Sequence, residues 1–250
     1  MTARLALVGF ALLGSCGCES AVRPSTTDIV ATFAYGASWG PPGADVVVEV
    51  APNGVGRIGM RPYGSKALTE SYGLVTAQGQ NLDVRRRNGV WLVADAIDYS
   101  NYLRRGGSPR TPPSLSNGSF RAMGTERVGK WTGTHYVLSE KPHAYEGPSD
   151  IVVMTNTKFA RLGRVLGANY LYSMRGLPFE PPKHIRQMAD LFALGVPLRV
   201  GDMTIKELET RKSDASRFRP PSQLLSKDEL YRVLDADRPK GPPIVTVPKP

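Results

Sequence analysis

The side chains that most often carry out catalysis are few and scattered in this sequence. The three histidines, His135, His143 and His184, lie outside any metal-binding or carboxylate-flanked motif, so they do not predict a metal centre. Glu207 and Glu209 are closely spaced carboxylates, but nothing in the sequence places a base or a pocket beside them. These residue types and spacings favour a protein that is not an enzyme and has neither metal nor cofactor.

The two cysteines offer a different chemistry, because both lie close to the N-terminus. Arg4 precedes an apolar run over residues 5–13, which has the length of a signal-peptide core and about half that of a membrane-spanning helix. The tetrapeptide Leu13-Gly14-Ser15-Cys16 follows this run.

This tetrapeptide resembles the lipobox of bacterial lipoproteins. The resemblance implies that residues 1–15 are a signal peptide, that Cys16 receives a diacylglyceryl group, and that the chain is held at a membrane by two or three acyl chains. Cys18 fits the motif less well, since Ser15 stands three residues before it. The alternative is an ordinary secreted protein in which the cysteine is coincidental.

The residues around the predicted anchor indicate where the protein works. Residues 16–26 are interpreted as the acylated cysteine and a short linker. Gly17 is not the aspartate that retains some lipoproteins at the inner membrane, so a location in the cell envelope at the outer membrane is favoured over the inner membrane. Because no cysteine follows Cys18, the folded part has no disulfide and depends on its core for stability.

Composition and charge are those of a globular, basic protein. Of 250 residues, 41% are hydrophobic and 22% charged, which suits a single folded domain over residues 27–237. The formal net charge of +10 favours anionic partners. For an anchored envelope protein these are lipid headgroups or acidic glycans, and nucleic acid is not expected.

Eleven segments have the alternation or apolar content of β-strands. Turn signals such as Asn53-Gly54 and Asn88-Gly89 separate several of them and predict tight hairpins. The order of strands and turns predicts an antiparallel meander. The segments are 28–35, 44–50, 55–60, 72–76, 81–87, 90–97, 120–127, 130–138, 150–155, 196–200 and 203–211.

Three further segments have helical patterns, near residues 157–174, 182–194 and 227–235. Apolar side chains spaced three or four residues apart define one face of each of the first two. A capping-box pattern, Ser226-Lys227-Asp228-Glu229, opens the third. The proline-rich tail at 238–250 is expected to be disordered.

The C-terminal half resembles secreted LolA/LolB-like proteins. The resemblance rests on Gly124, Val128, Gly129 and Tyr136 in one predicted strand pair. It also rests on Gly195-Val196-Pro197 and on an ending that contains Asp214, Ser216 and Phe218. It is nearest to an uncharacterised branch in which a helical segment precedes the Gly-x-Pro strand. The family resemblance implies an α+β fold, a strongly curved antiparallel β-sheet forming a half-barrel, covered by two or three helices.

That architecture implies a groove between the sheet and the helices, and with it a function. We expect a non-enzymatic lipoprotein that binds a lipid or a lipoprotein acyl group; the alternative is a scaffold or accessory module of an envelope protein complex. Arg86 lies in the run Arg85-Arg86-Arg87, in which either Arg86 or its two neighbours face the covered side. A half-barrel filled by its own side chains would have the same sequence pattern. The predicted groove residues are Arg86, Phe159, Leu162, Leu166, Tyr170, Ile185, Met188 and Phe192.

Overall fold

A computed structural model describes residues 26–35, 43–65, 67–105, 118–140, 147–175 and 180–236. The predicted signal peptide, Cys16, nearly all of the linker, His143 and the tail at 238–250 lie outside the described residues. Eleven strands form one antiparallel sheet, which confirms the predicted meander and the α+β class. They are β1 (Thr27–Ala34), β2 (Ala44–Val50), β3 (Gly56–Pro62), β4 (Ser71–Val75), β5 (Asn81–Arg87), β6 (Val90–Asp95), β7 (Phe120–Val128), β8 (Trp131–Leu138), β9 (Asp150–Thr155), β10 (Gly195–Val200) and β11 (Met203–Lys212).

The first strand lies in the middle of the sheet. The spatial order is β6-β5-β4-β3-β2-β1-β11-β10-β9-β8-β7, so β1 to β6 form one meander and β7 to β11 the other. Pairing of β1 with β11 joins them. Asn88 and Gly89, both with positive φ, make the tight turn between β5 and β6 that the Asn-Gly pair predicts.

Four helices accompany the sheet: α1 (Ala96–Leu103), α2 (Ala160–Arg175), α3 (Lys183–Ala193) and α4 (Lys227–Ala236). Helices α2 to α4 lie where the sequence predicts them. The sequence does not predict helix α1, because its pattern favours a single strand over residues 90–97. Asp95 instead ends β6, and its carboxylate accepts a hydrogen bond from the backbone N–H of Ile97 at 2.8 Å, which caps α1.

The sheet curves around helices α2 and α3. Strands β5 and β7 are nine positions apart, which is about 43 Å in a flat sheet at about 4.8 Å per strand. Yet α2 contacts β5, α3 contacts β7, and the two helices contact each other. Irregular pairing at Thr32–Phe33, Pro197–Arg199 and Ala122–Gly124 supports the bend, because β-bulges increase the twist of a strand.

The main core lies between the inner face of the sheet and helices α2 and α3. In β1 the residues Ile29, Ala31 and Phe33 point inward and are 0–1% exposed. Helices α1 and α4 cover the same face at the β5–β6 end, where Tyr102, Leu230 and Leu234 form a second cluster. None of the helices in the described segments has the length and apolarity needed to cross a membrane.

Candidate ligand-binding site

Seven of the eight predicted groove residues lie together between the helices and the sheet. Five of them, Leu162, Leu166, Ile185, Met188 and Phe192, are at most 3% exposed and belong to the main core. The other two, Phe159 and Tyr170, are partly buried against it. The inner face at these positions is therefore filled by the protein's own side chains.

Arg86 does not belong to this set, and its assignment to the groove was wrong. Asn81 contacts Asn169 of α2 and Arg85 contacts Tyr99 of α1, so residues 81, 83 and 85 of β5 face the helices and Arg86 points to the outer face. Its guanidinium pairs with Glu70 at 2.7 Å and lies 5.9 Å from the ring centre of Trp91. Its neighbour Arg85 is the inward arginine: its guanidinium binds the Asp83 carboxylate and stacks 4.1 Å from the ring centre of Tyr99.

Close packing between α2 and α3 depends on two glycines. A Cβ at Gly163 would lie 1.8 Å from the carbonyl oxygen of Phe192, and a Cβ at Gly167 would lie 3.1 Å from the Cβ of Ala189. The helices approach so closely because these positions carry no side chain. The Gly-x-x-x-Gly spacing was visible in the sequence, but its partner surface was not.

A pocket of about 250 Å³ opens onto the core near the C-terminal half of α2. Tyr35, Tyr170, Val200 and Met203 line it, together with the β10–β11 turn. Burial raises the pKa of Tyr170 to about 12, and burial together with the carboxylate of Asp202 raises the pKa of Tyr35. Both phenols therefore stay neutral at physiological pH, which suits a mainly apolar ligand.

A larger cleft, of about 470 Å³, lies at the N-terminal half of the same helix. Its walls are the β2–β3 turn at 52–54, residues 75–79 between β4 and β5, and the side chains of Arg161 and Arg164. None of the residues that line it is acidic. Arg161 donates hydrogen bonds to the carbonyl oxygens of Ala51 and Thr27, both at 3.3 Å, which fixes it at the cleft wall.

The sequence contains two glycine patterns that also occur in enzymes, but their structural context is different here. Gly54, Gly56 and Gly59 have the Gly-x-Gly-x-x-Gly spacing, but they lie in a β-hairpin, whereas the dinucleotide motif joins a strand to a helix. A Cβ at Gly56 would lie 2.3 Å from a methyl carbon of Val165, so this glycine lets α2 pack on the hairpin.

The second pattern, Gly36-Ala37-Ser38-Trp39-Gly40, has the Gly-x-Ser-x-Gly form of a hydrolase nucleophile turn. Residues 36–42 lie outside the described residues. The described elements on either side are the strands β1 and β2, which pair with each other, whereas the hydrolase turn leads from a strand into a helix. This context gives no support to a nucleophilic serine.

Four charged or titratable side chains form a network on the outer face of β7 to β10. His135 contacts the Asp150 carboxylate at 2.7 Å and Glu126 at 3.3 Å, and Arg199 bridges the same two carboxylates. Burial alone would raise the pKa of Asp150, but hydrogen bonds from His135 and Arg199 lower it overall. Within the part of the chain that the structure describes, no group of three or more His, Asp or Glu side chains is arranged to hold a metal ion.

A charged layer occupies the outer face at the centre of the sheet. Glu49 is 2% exposed, and its carboxylate lies among the guanidinium groups of Arg57 at 3.7 Å, Arg211 at 2.8 Å and Arg217. The 3-10 turn at Ala215–Phe218 carries Arg217 over the sheet. We interpret this cluster as structural and not as a ligand site, because the arginines neutralise a buried carboxylate of the protein itself.

Comparison with known proteins adds no family assignment. No protein-family model matches this chain, and no curated protein sequence matches it. The resemblance to LolA/LolB-like proteins therefore stays a prediction that rests on the residues quoted for it.

Proposed function

We propose that this protein is a membrane-anchored envelope lipoprotein of LolA/LolB-like architecture that binds the acyl part of a lipid or lipoprotein without catalysis. The observation that carries the proposal is the apolar layer between the curved sheet and helices α2 and α3. Such a layer provides the environment that an acyl chain needs, since burial of each methylene is worth about 0.8 kcal/mol.

The acyl chain enters in this proposal at the pocket beside Tyr170. Ligand pockets commonly occupy about 300–1,000 Å³, and this one has about 250 Å³. A chain longer than the pocket displaces side chains of α2 and α3 from the sheet. Tyr170 is the first of these, because its ring packs edge-on against Phe192 at 6.2 Å between ring centres.

Native mass spectrometry of protein purified from its host envelope tests the acyl ligand. We expect a co-purifying amphiphile, and a Tyr35→Trp variant should retain less of it because the larger ring obstructs the pocket. Tyr63→Trp is the matched control, since Tyr63 is 57% exposed and lies outside the pocket. Wild-type protein that stays free of ligand when incubated with the host's lipid extract would contradict the proposal.

The second candidate is a docking module of an envelope complex, and two exposed regions favour it. Met123 on the edge strand β7 is 66% exposed. At the opposite edge, Val90 and Leu224 are 62% and 44% exposed, beside an apolar groove of about 400 Å³. Cross-linking in cells, compared between the full chain and a chain without residues 240–250, separates the two functions. A docking module should lose cross-links to its partner with the tail, whereas a ligand carrier keeps its ligand.

A further inference from the structure

The cleft at the N-terminal half of α2 has features that the acyl pocket does not explain. Arg161 and Arg164 are three residues apart, so both lie on one side of the helix and border the cleft together. The opposite wall supplies the side chains of Asn53, Thr76 and Gln78, which are neutral hydrogen-bonding groups. A positively charged wall therefore faces a polar, uncharged one.

The positive charge in the cleft is only partly compensated by the protein. Burial and the neighbouring Arg164 both lower the pKa of Arg161, and the carboxylate of Asp28 offsets them in part. Arg164 is exposed, and its guanidinium makes no hydrogen bond or ion pair with the described residues. A bound anion would relieve the repulsion between the two guanidinium groups.

The position of the cleft indicates where such an anion comes from. Arg161 binds the carbonyl oxygen of Thr27, so the cleft lies at the end of the sheet where β1 begins. Cys16 is eleven residues before Thr27, a distance of at most about 40 Å for an extended chain. If Cys16 is the anchor, as the proposed function requires, this end of the domain stays close to the membrane surface.

We infer that the cleft between α2 and the two hairpin turns binds a phosphate group, with Arg161 and Arg164 as its cationic ligands. A guanidinium matches a phosphate because it presents its N–H groups in a planar fork that makes two parallel hydrogen bonds. The source is the headgroup of an anionic phospholipid or free phosphate, and both present the same oxygen atoms. This inference deepens the proposed function by giving the amphiphile a headgroup site at the anchored end of the protein.

Isothermal titration calorimetry on the purified full chain tests the inference with two probes, dihexanoyl phosphatidylglycerol and inorganic phosphate. We expect Arg164→Gln to weaken binding of the lipid probe at least tenfold. Arg121→Gln is the matched control, because it removes an equal charge from an exposed site on β7 and should change affinity by less than about twofold. Arg164→Lys should give an intermediate loss, since lysine keeps the charge but not the fork.

The outcomes separate the ligand sources and the two proposals. Phosphate that binds as tightly as the lipid, with the same dependence on Arg164, identifies free phosphate as the ligand. Equal losses for Arg164→Gln and Arg121→Gln, or no binding of either probe, overturn the inference. The measurement uses no membrane and a probe with short chains, so its result does not depend on acylation of Cys16 or on the pocket beside Tyr170.

Discussion

Glu49 supplies the buried negative charge that offsets several arginines on the outer face of the sheet. Its carboxylate is nearly inaccessible to water and lies among three guanidinium groups. Removing one partner from a buried charge cluster lowers the stability by more than the ion pair itself contributes to it, because the remaining charges stay buried without a counter-charge. We therefore expect Glu49→Gln to lower the free energy of unfolding by roughly 3 kcal/mol in urea titrations.

The control for this variant is Glu207→Gln on the same face. Glu207 also borders the outer groove, but it is exposed, so the change should cost less than about 1 kcal/mol. Equal effects of the two substitutions would show that the buried carboxylate has no special role.

The network around Asp150 makes stability depend on pH. Hydrogen bonds from His135 and Arg199 bring the pKa of Asp150 below its usual 3.8 in the folded protein. The folded state therefore binds the proton more weakly than the unfolded state, so this contribution is full above pH 3.8 and is lost as the pH falls through the lowered pKa. Its size is at most about 1 kcal/mol, since the carboxylate is a third exposed and solvent screens the interaction.

Denaturant titrations between pH 6 and pH 2 measure this contribution. Asp150→Asn should be less stable than the wild type at pH 6, and the difference should shrink as the pH approaches 2. Asp190→Asn, at an exposed position on α3, is the matched control and should show no such convergence. A difference for Asp150→Asn that stays constant with pH would contradict the explanation.

The candidate site was only partly predictable at the level of single residues. Helical spacing identified six inward-facing residues on α2 and α3, together with Phe159 directly before α2, because the apolar side of an amphipathic helix faces the core. Spacing did not decide between Arg85 and Arg86, since alternation in a strand gives two faces but does not say which one is covered. Local sequence does not indicate that Arg161 and Arg164 border a cleft, because the turns that face them are about 85–110 residues away in sequence.

At the scale of elements, the contact between α2 and α3 leaves no room for even a methyl group at Gly163. A methyl group at Gly163 would collide with two backbone carbonyls, which cannot rotate away as a side chain would. We expect Gly163→Ala to destabilise the protein by roughly 3 kcal/mol, although alanine favours a helix by up to about 1 kcal/mol relative to glycine.

Gly167→Ala provides a graded comparison on the same helix. Its added Cβ would meet Ala189 at 3.0–3.2 Å, a contact that a small shift of the helix can relieve. Thermal unfolding should therefore place this variant between the wild type and Gly163→Ala. The close-packing explanation fails if Gly163→Ala is as stable as the wild type.

The strands could be predicted from the sequence more easily than the short helix α1, because their signals lie within a few residues. Alternating side chains and turns such as Asn88-Gly89 act over a few residues, and all eleven predicted strands are present. Helix α1 continues directly from β6, so its apolar residues extended the strand pattern. The carboxylates at Asp95 and Asp98 were the available signal, because acidic residues favour helix N-termini.

At the scale of the whole molecule, the proposed membrane anchor can be tested directly. If Cys16 accepts the diacylglyceryl group, as we propose, Cys16→Ser removes the acceptor thiol, so palmitate labelling and membrane attachment should both be lost. Cys18→Ser should stay labelled and bound to the membrane. If Cys18→Ser loses the label and Cys16→Ser keeps it, the acylated residue is two positions later. If both variants fractionate like the wild type, the lipoprotein proposal is wrong.

The central position of β1 also affects how the chain folds. Its partner β11 begins 176 residues after β1 starts, so the pairing of β1 with β11 cannot form until nearly the whole domain has been synthesised. Pairings so distant in sequence slow folding, because the entropy cost of closing a long loop comes before the stabilising contacts form. Until then β1, with the apolar residues Ile29, Val30 and Phe33, is an unprotected edge. Folding of this protein therefore depends on completion of the chain, and its earliest strand is the one at greatest risk of aggregation.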